Sequence, residues 1–111
     1  MKLEFMVDKK TLIVRVCGEL DMVAADHFRQ AVDENMERNC CDNIVLNLDR
    51  VNFIDSSGLG VILGRYKKLT ALGGKLAIVG APLQVKRILE LSGILRIVSA
   101  HENETEALQA M

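Results

Sequence analysis

The chain has 111 residues, half of them hydrophobic, which is enough for one buried core and too few for a second, so a single domain spanning 1–111 is expected. Fourteen basic and fifteen acidic residues give a formal charge of −1, and aromatic residues make up 4% with no Trp, so neither a basic stripe nor a stacking surface for nucleic acid is present. The charged N-terminal stretch has no apolar signal-peptide core, and no apolar run approaches the ~18 residues of a membrane span, so the expected location is the cytoplasm.

Leu3, Phe5 and Val7 alternate with Glu4, Met6 and Asp8, and a β-branched run from Leu12 to Val16 follows Lys9-Lys10, which together predict a hairpin. Gly18-Glu19-Leu20-Asp21 ends it. Ala25, Phe28, Ala31, Val32 and Met36 then recur at helical spacing, and Asp21 is the expected cap of this first helix. Asn43 to Asp49 and Val51 to Ile54 form the central strand. A second helix is expected from about Ser57, with Leu59, Ile62, Leu63, Tyr66 and Leu69 on its apolar face and Gly73-Gly74 at its end. Lys75 to Val79 reads as a short buried strand. Ala81-Pro82 opens a third helix that stops at Gly93, Ile94 to Val98 is expected to be the last strand, and Asn103 is placed to cap a C-terminal helix.

The resulting order is β-β-α-β-α-β-α-β-α. Strands separated by helices pair in parallel, so the fold class is α/β with a mostly parallel mixed sheet, the first hairpin adding an antiparallel strand at one side. Loops that leave the carboxyl ends of the strands gather at one end of such a sheet. Gly18 to Asp21 and Asp55 to Ser57 are two of them.

Several chemistries are excluded by spacing. Gly58, Gly60 and Gly64 give G-x-G-x-x-x-G, one residue too long for a dinucleotide fingerprint, and residues 76 to 83 carry no ribose-binding carboxylate. Gly73-Gly74-Lys75 is followed by Leu76, so there is no Walker A loop. Cys17 and the adjacent pair Cys40 and Cys41 match neither a disulfide framework nor a metal-ligand spacing, and the expectation is reduced thiols with no metal. A Ser56 or Ser57 nucleophile would need a base, but His27 lies mid-helix among polar neighbours, His101 lies near the C-terminus where a solvated histidine is the ordinary expectation, and the Gly-x-Ser-x-Gly elbow is absent, so no catalytic residue is expected.

What remains is a pair of hydroxyls at the start of a helix, where unpartnered N–H groups and the helix dipole favour an anion. Phosphorylation there would add about −1.5 to −2 charges beside Asp21 and Asp55, repelling an acidic partner surface and blocking close docking. The residues alone do not choose between Ser56 and Ser57.

The stretch Asp55-Ser56-Ser57-Gly58-Leu59-Gly60-Val61-Ile62-Leu63-Gly64-Arg65-Tyr66 resembles the signature of the anti-sigma factor antagonists of the STAS domain class, in particular their sporulation members. Gly18-Glu19-Leu20-Asp21 resembles the family's loop after the second strand, and Leu83 to Ile94 its third helix. The resemblance implies a partner-switching protein without enzymatic activity. The unphosphorylated antagonist would bind an anti-sigma factor that is also an ATP-dependent serine kinase and so free the sporulation sigma factor. Phosphorylation would end that binding, and a serine phosphatase would restore it.

By the same resemblance Ser57 is the phosphoacceptor, Asp55 and Ser56 shape the turn, Gly58 allows close approach of the kinase, and Glu19 and Asp21 border the contact surface. The ATP belongs to the partner, so no cofactor is expected. The exposed side of the second helix from Leu59 to Arg65 is a further candidate for partner contact, with Leu59 equally placed for the core by its spacing. The alternatives are a general-stress antagonist or another STAS binding module with a different partner, such as those joined to anion transporters, and a small enzyme using the Ser-Ser-Gly turn as its nucleophile.

Overall fold

A computed structural model describes residues 1–111. Strand β1 (Lys2–Asp8) turns through Lys9, whose φ of 55° lies in the left-handed region, into β2 (Thr11–Leu20). The two pair antiparallel from Lys2 opposite Cys17 to Asp8 opposite Thr11. Then follow α1 (Ala25–Arg38), β3 (Asn43–Ile54), α2 (Ser56–Ala71), β4 (Leu76–Val79), α3 (Leu83–Ser92), a 3-10 turn (Ile94–Arg96), β5 (Ser99–His101) and α4 (Glu104–Gln109). The sheet has the order β1-β2-β3-β4-β5, and β2 through β5 are parallel neighbours. The expected α/β architecture, a mostly parallel mixed sheet with one antiparallel strand at its edge, is the observed one.

Period-two alternation splits the sheet into unequal faces. Leu12, Val14 and Val16 of β2 and Ile44, Leu46 and Leu48 of β3 point to one side. There they meet Phe28 and Val32 of α1, Ile62 and Leu69 of α2, and Val85 and Leu89 of α3 in a core of 20 buried residues. Each such side chain contributes about 1.5–3 kcal/mol relative to exposure. On the other side Ile13, Val45, Ala77 and Val79 are covered by Ala107, with Leu108 and Met111 packed at the margin. Asn103 caps α4 as expected, its side chain accepting the Glu106 N–H at 2.9 Å. Glu104 then reaches across the sheet to the Arg15 guanidinium in two 2.8 Å hydrogen bonds and accepts a third from Asn47.

Helix ends follow their sequence signals. Gly73 adopts φ 81° after α2, and the N–H of Gly74 returns to the Leu69 carbonyl at 2.8 Å while that of Gly73 returns to Thr70, so the last carbonyls are satisfied. Gly93 closes α3 at φ 83°.

Two expectations are corrected. The run Ile94 to Val98 is not the last strand. It begins as a 3-10 turn in which the Val98 N–H bonds to the Ile94 carbonyl at 2.9 Å, so both side chains face the core together, and the strand forms at Ser99–His101. The first helix is not capped by Asp21. A turn over residues 21–24 intervenes, the helix opens at Ala25, and the cap position, Ala24, has no side-chain bond. Asp21 instead fastens that turn, its side chain accepting the Ala24 N–H at 3.0 Å.

Candidate functional site

Helix α2 starts where β3 ends, at the carboxyl end of the sheet, and Asp55 makes the joint. Its backbone is extended (φ −113°, ψ −172°), and one carboxylate oxygen accepts the Gly58 N–H at 2.9 Å, which satisfies one of the unpartnered donors of the first turn. The cap is therefore Asp55, and Ser56 and Ser57 are the first two helical residues. Their own N–H groups lack an intrahelical partner at the positive end of the dipole. Ser56 is exposed and Ser57 half-buried, and neither hydroxyl forms a hydrogen bond within the protein.

The second carboxylate oxygen of Asp55 accepts the Met22 N–H at 2.9 Å, joining the turn after β2 to the start of α2. Asp21 and Asp55 thus stand on either side of one junction. Glu19, exposed near the end of β2, lies opposite Phe53 of β3 after register shifts at Arg15/Cys17 and Gly18/Glu19. Gly18 takes φ 109° within this irregular stretch, a conformation suited to glycine.

Gly58 has a structural reason that the sequence does not disclose. It is buried, and a β-carbon on it would lie 2.1 Å from the Leu20 carbonyl oxygen and 2.8 Å from Ile54 Cγ1. Within the fold, the close approach it permits is that of α2 to the end of β2. Arg65, expected at the partner contact, is mostly buried in the fold. Its side chain is only 11% exposed, and it lies between α1 and α2 with Nε 3.1 Å from Asp33 Oδ1. The approach is too oblique for a hydrogen bond, and Nη1 is likewise buried without one. Lys68 reaches the same carboxylate at 3.6 Å. Leu59 is half-buried against the core, on the margin between the two readings of it.

Apolar residues missed in the sequence are exposed on the segments that flank the start of α2. Met22 and Val23 project from the turn at 73% and 86% exposure, and Phe53 is 46% exposed. A shallow groove of about 340 Å³ runs past Ser56, Leu59, Gly60 and Leu63 on one side and Ser92, Gly93, Ile94 and Ile97 on the other. The available signal for the turn was a Met-Val pair with no periodic apolar partner. The signal for Ile97 was hidden by its placement in an expected strand.

No histidine borders that groove. Cys17 and Cys40 are exposed and Cys41 is buried, all as free thiols, and no group of three or more His, Cys, Asp or Glu residues is close enough to hold a metal ion. No helix is long and apolar enough to cross a membrane.

Residues 2–107 match the STAS domain model. The chain belongs to the STAS domain family. The domain is 43% identical over 108 residues to the anti-sigma F factor antagonist of Paenibacillus polymyxa, covering 97% of this chain and 92% of that protein. In structure this STAS domain matches a Thermotoga maritima protein proposed to be an anti-sigma factor antagonist, at a TM-score of 0.91 and 29% identity over 97% of this chain and 92% of the other. It also matches the Bacillus cell fate determinant SpoIIAA in its phosphorylated form, at a TM-score of 0.76 and 27% identity over 98% of each chain.

Proposed function

We propose that this protein is an anti-sigma factor antagonist of the sigma F type, a binding protein rather than an enzyme, that works by partner switching. The observation that carries this reading is the start of α2. Asp55 supplies the cap, so the Ser56 and Ser57 hydroxyls are not consumed by capping. The full-length similarity to the Paenibacillus polymyxa antagonist supports the choice of pathway.

In the unmodified state the surface around Ser57 docks on an anti-sigma factor, which then gives up its sigma factor. That anti-sigma factor is a serine kinase, binds the ATP, and transfers the γ-phosphoryl group to the Ser57 oxygen. The serine proton is lost and ADP leaves. The phosphoserine brings about −1.5 to −2 charges to a site that already holds the carboxylates of Glu19, Asp21 and Asp55. The N–H groups of Ser56 and Ser57 at the helix N-terminus tolerate the added anion, so the backbone changes little while the surface is closed to the partner. A serine phosphatase resets the switch by hydrolysis.

The test is mass spectrometry with site mapping after incubation with the cognate anti-sigma F factor and ATP, together with binding of Ser57→Asp. One phosphate on Ser57, and a folded Ser57→Asp with strongly weakened binding, are expected. No modification by an active kinase, or undiminished affinity of Ser57→Asp, overturns the proposal.

A further inference from the structure

We infer that Asp55 is a positioning residue for partner recognition, holding the exposed Met22–Val23 tip beside the start of α2 so that the two form one contact surface for an apolar patch on the anti-sigma factor. The inference rests on the function proposed above and adds to it a second contact element and the residue that places it.

Met22 and Val23 are among the most exposed large apolar side chains of the molecule, at 73% and 86%. Their backbone is nevertheless tightly held. The Asp21 carbonyl accepts the N–H groups of Ala24 and Ala25 at 3.1 and 2.9 Å, the Asp21 side chain accepts the Ala24 N–H as well, and Asp55 accepts the Met22 N–H at 2.9 Å from the far side of the junction. The restraint does not bury the two side chains themselves. It does fix an apolar pair in advance of binding, which removes part of the ordering cost of association. Of these restraints, the bond to Asp55 is the one that ties the tip to the serine-bearing helix, 33 residues further along the chain.

The two jobs of Asp55 are separable because they use different oxygens: Oδ1 accepts from Gly58 and Oδ2 from Met22. Asn caps a helix about as well as Asp but offers one acceptor oxygen instead of two. Asp55→Asn therefore keeps the cap and loses the bridge.

The experiment compares wild type, Asp55→Asn, Val23→Ser and the double variant by thermal unfolding, amide hydrogen exchange and binding to the cognate anti-sigma F factor. For Asp55→Asn the expected results are a nearly unchanged Tm, exchange at the Met22 amide faster by about tenfold, and affinity lower by about five- to tenfold. The double variant is expected to lose less than the sum of the single losses, since both act through the same tip. Unchanged Met22 exchange overturns the bridge. Unchanged affinity with fast Met22 exchange overturns its role in recognition. Failure of the wild type to bind overturns the function proposed above, while the exchange measurement still reads the bridge independently.

Discussion

The Leu20 carbonyl oxygen occupies the space that a side chain on Gly58 would need, 2.1 Å from the position of its β-carbon. Through this contact the end of β2 sets the depth at which α2 enters the fold, and with it the height of Ser57 above the sheet. Asp55 adds to the same joint from the other side, its N–H bonding to the Leu20 carbonyl at 3.4 Å.

Gly58→Ala must displace backbone on both elements and is expected to cost about 3 kcal/mol. Gly60 lies two residues further along the same helix with nothing within 4 Å of its β-carbon position, so Gly60→Ala is expected to stabilise by about 0.5–1 kcal/mol. Urea unfolding of the two variants checks the opposite signs.

Arg65 is held between α1 and α2 by its ion pair with Asp33. Arg65→Ala leaves Asp33 in a half-buried setting with only Lys68 at 3.6 Å, and is expected to cost about 2–4 kcal/mol. Binding to the anti-sigma factor, measured well below the lowered Tm, is expected to be unchanged. A loss of affinity without a loss of stability would return Arg65 to the contact surface.

Docking of α4 depends on pH through Glu104. The hydrogen bond from the Arg15 guanidinium, aided by Asn47, holds the Glu104 carboxyl below the usual carboxylate range against the opposing effect of burial. A folded-state pKa below the unfolded value stabilises the protein above the unfolded pKa, about 4.3 for Glu, and that contribution fades as pH falls through the folded value. Glu104→Gln is expected to lose about 1–3 kcal/mol at pH 7 and to show a flatter decline of Tm between neutral and acid pH. Thermal unfolding from pH 7 to 3 compares the two slopes.

The thiols differ in accessibility. Burial pushes the Cys41 thiol up from its ordinary value, with Asp42 and Cys40 acting in the same direction, so it stays protonated and shielded at neutral pH. A disulfide reagent such as DTNB is expected to modify Cys17 and Cys40 in the folded protein, and Cys41 only on unfolding.

Much of this molecule was legible in the chain because its signals are local. Alternation in Leu3 to Val7, the three- and four-residue spacing from Ala25 to Met36, the glycines after α2 and α3, and Asn103 before α4 each act within a few residues and against water on one side. The Asp-Ser-Ser-Gly turn between a buried strand and an amphipathic helix likewise placed two serines at a helix start from sequence alone. The run Ile94 to Val98 misled because its apolar residues fit a buried strand and a tight turn equally well. The choice fell to the core, which takes Ile94 and Val98 on the same side.

The tertiary structure alone decided what crosses between elements. Sequence spacing could not show that Asp55, rather than either serine, caps α2, because Ser and Asp are comparable caps, nor that the second carboxylate oxygen of Asp55 holds the Met22 amide. Nor could it show that the carbonyl of Leu20 requires a glycine at 58, or that Asp33 draws Arg65 in from the surface. Local patterns specify strands, helices and their ends because hydrogen bonding and burial repeat along the chain. Contacts between residues tens of positions apart are set only when the sheet brings its strand ends together, and in this protein they shape the serine-bearing site.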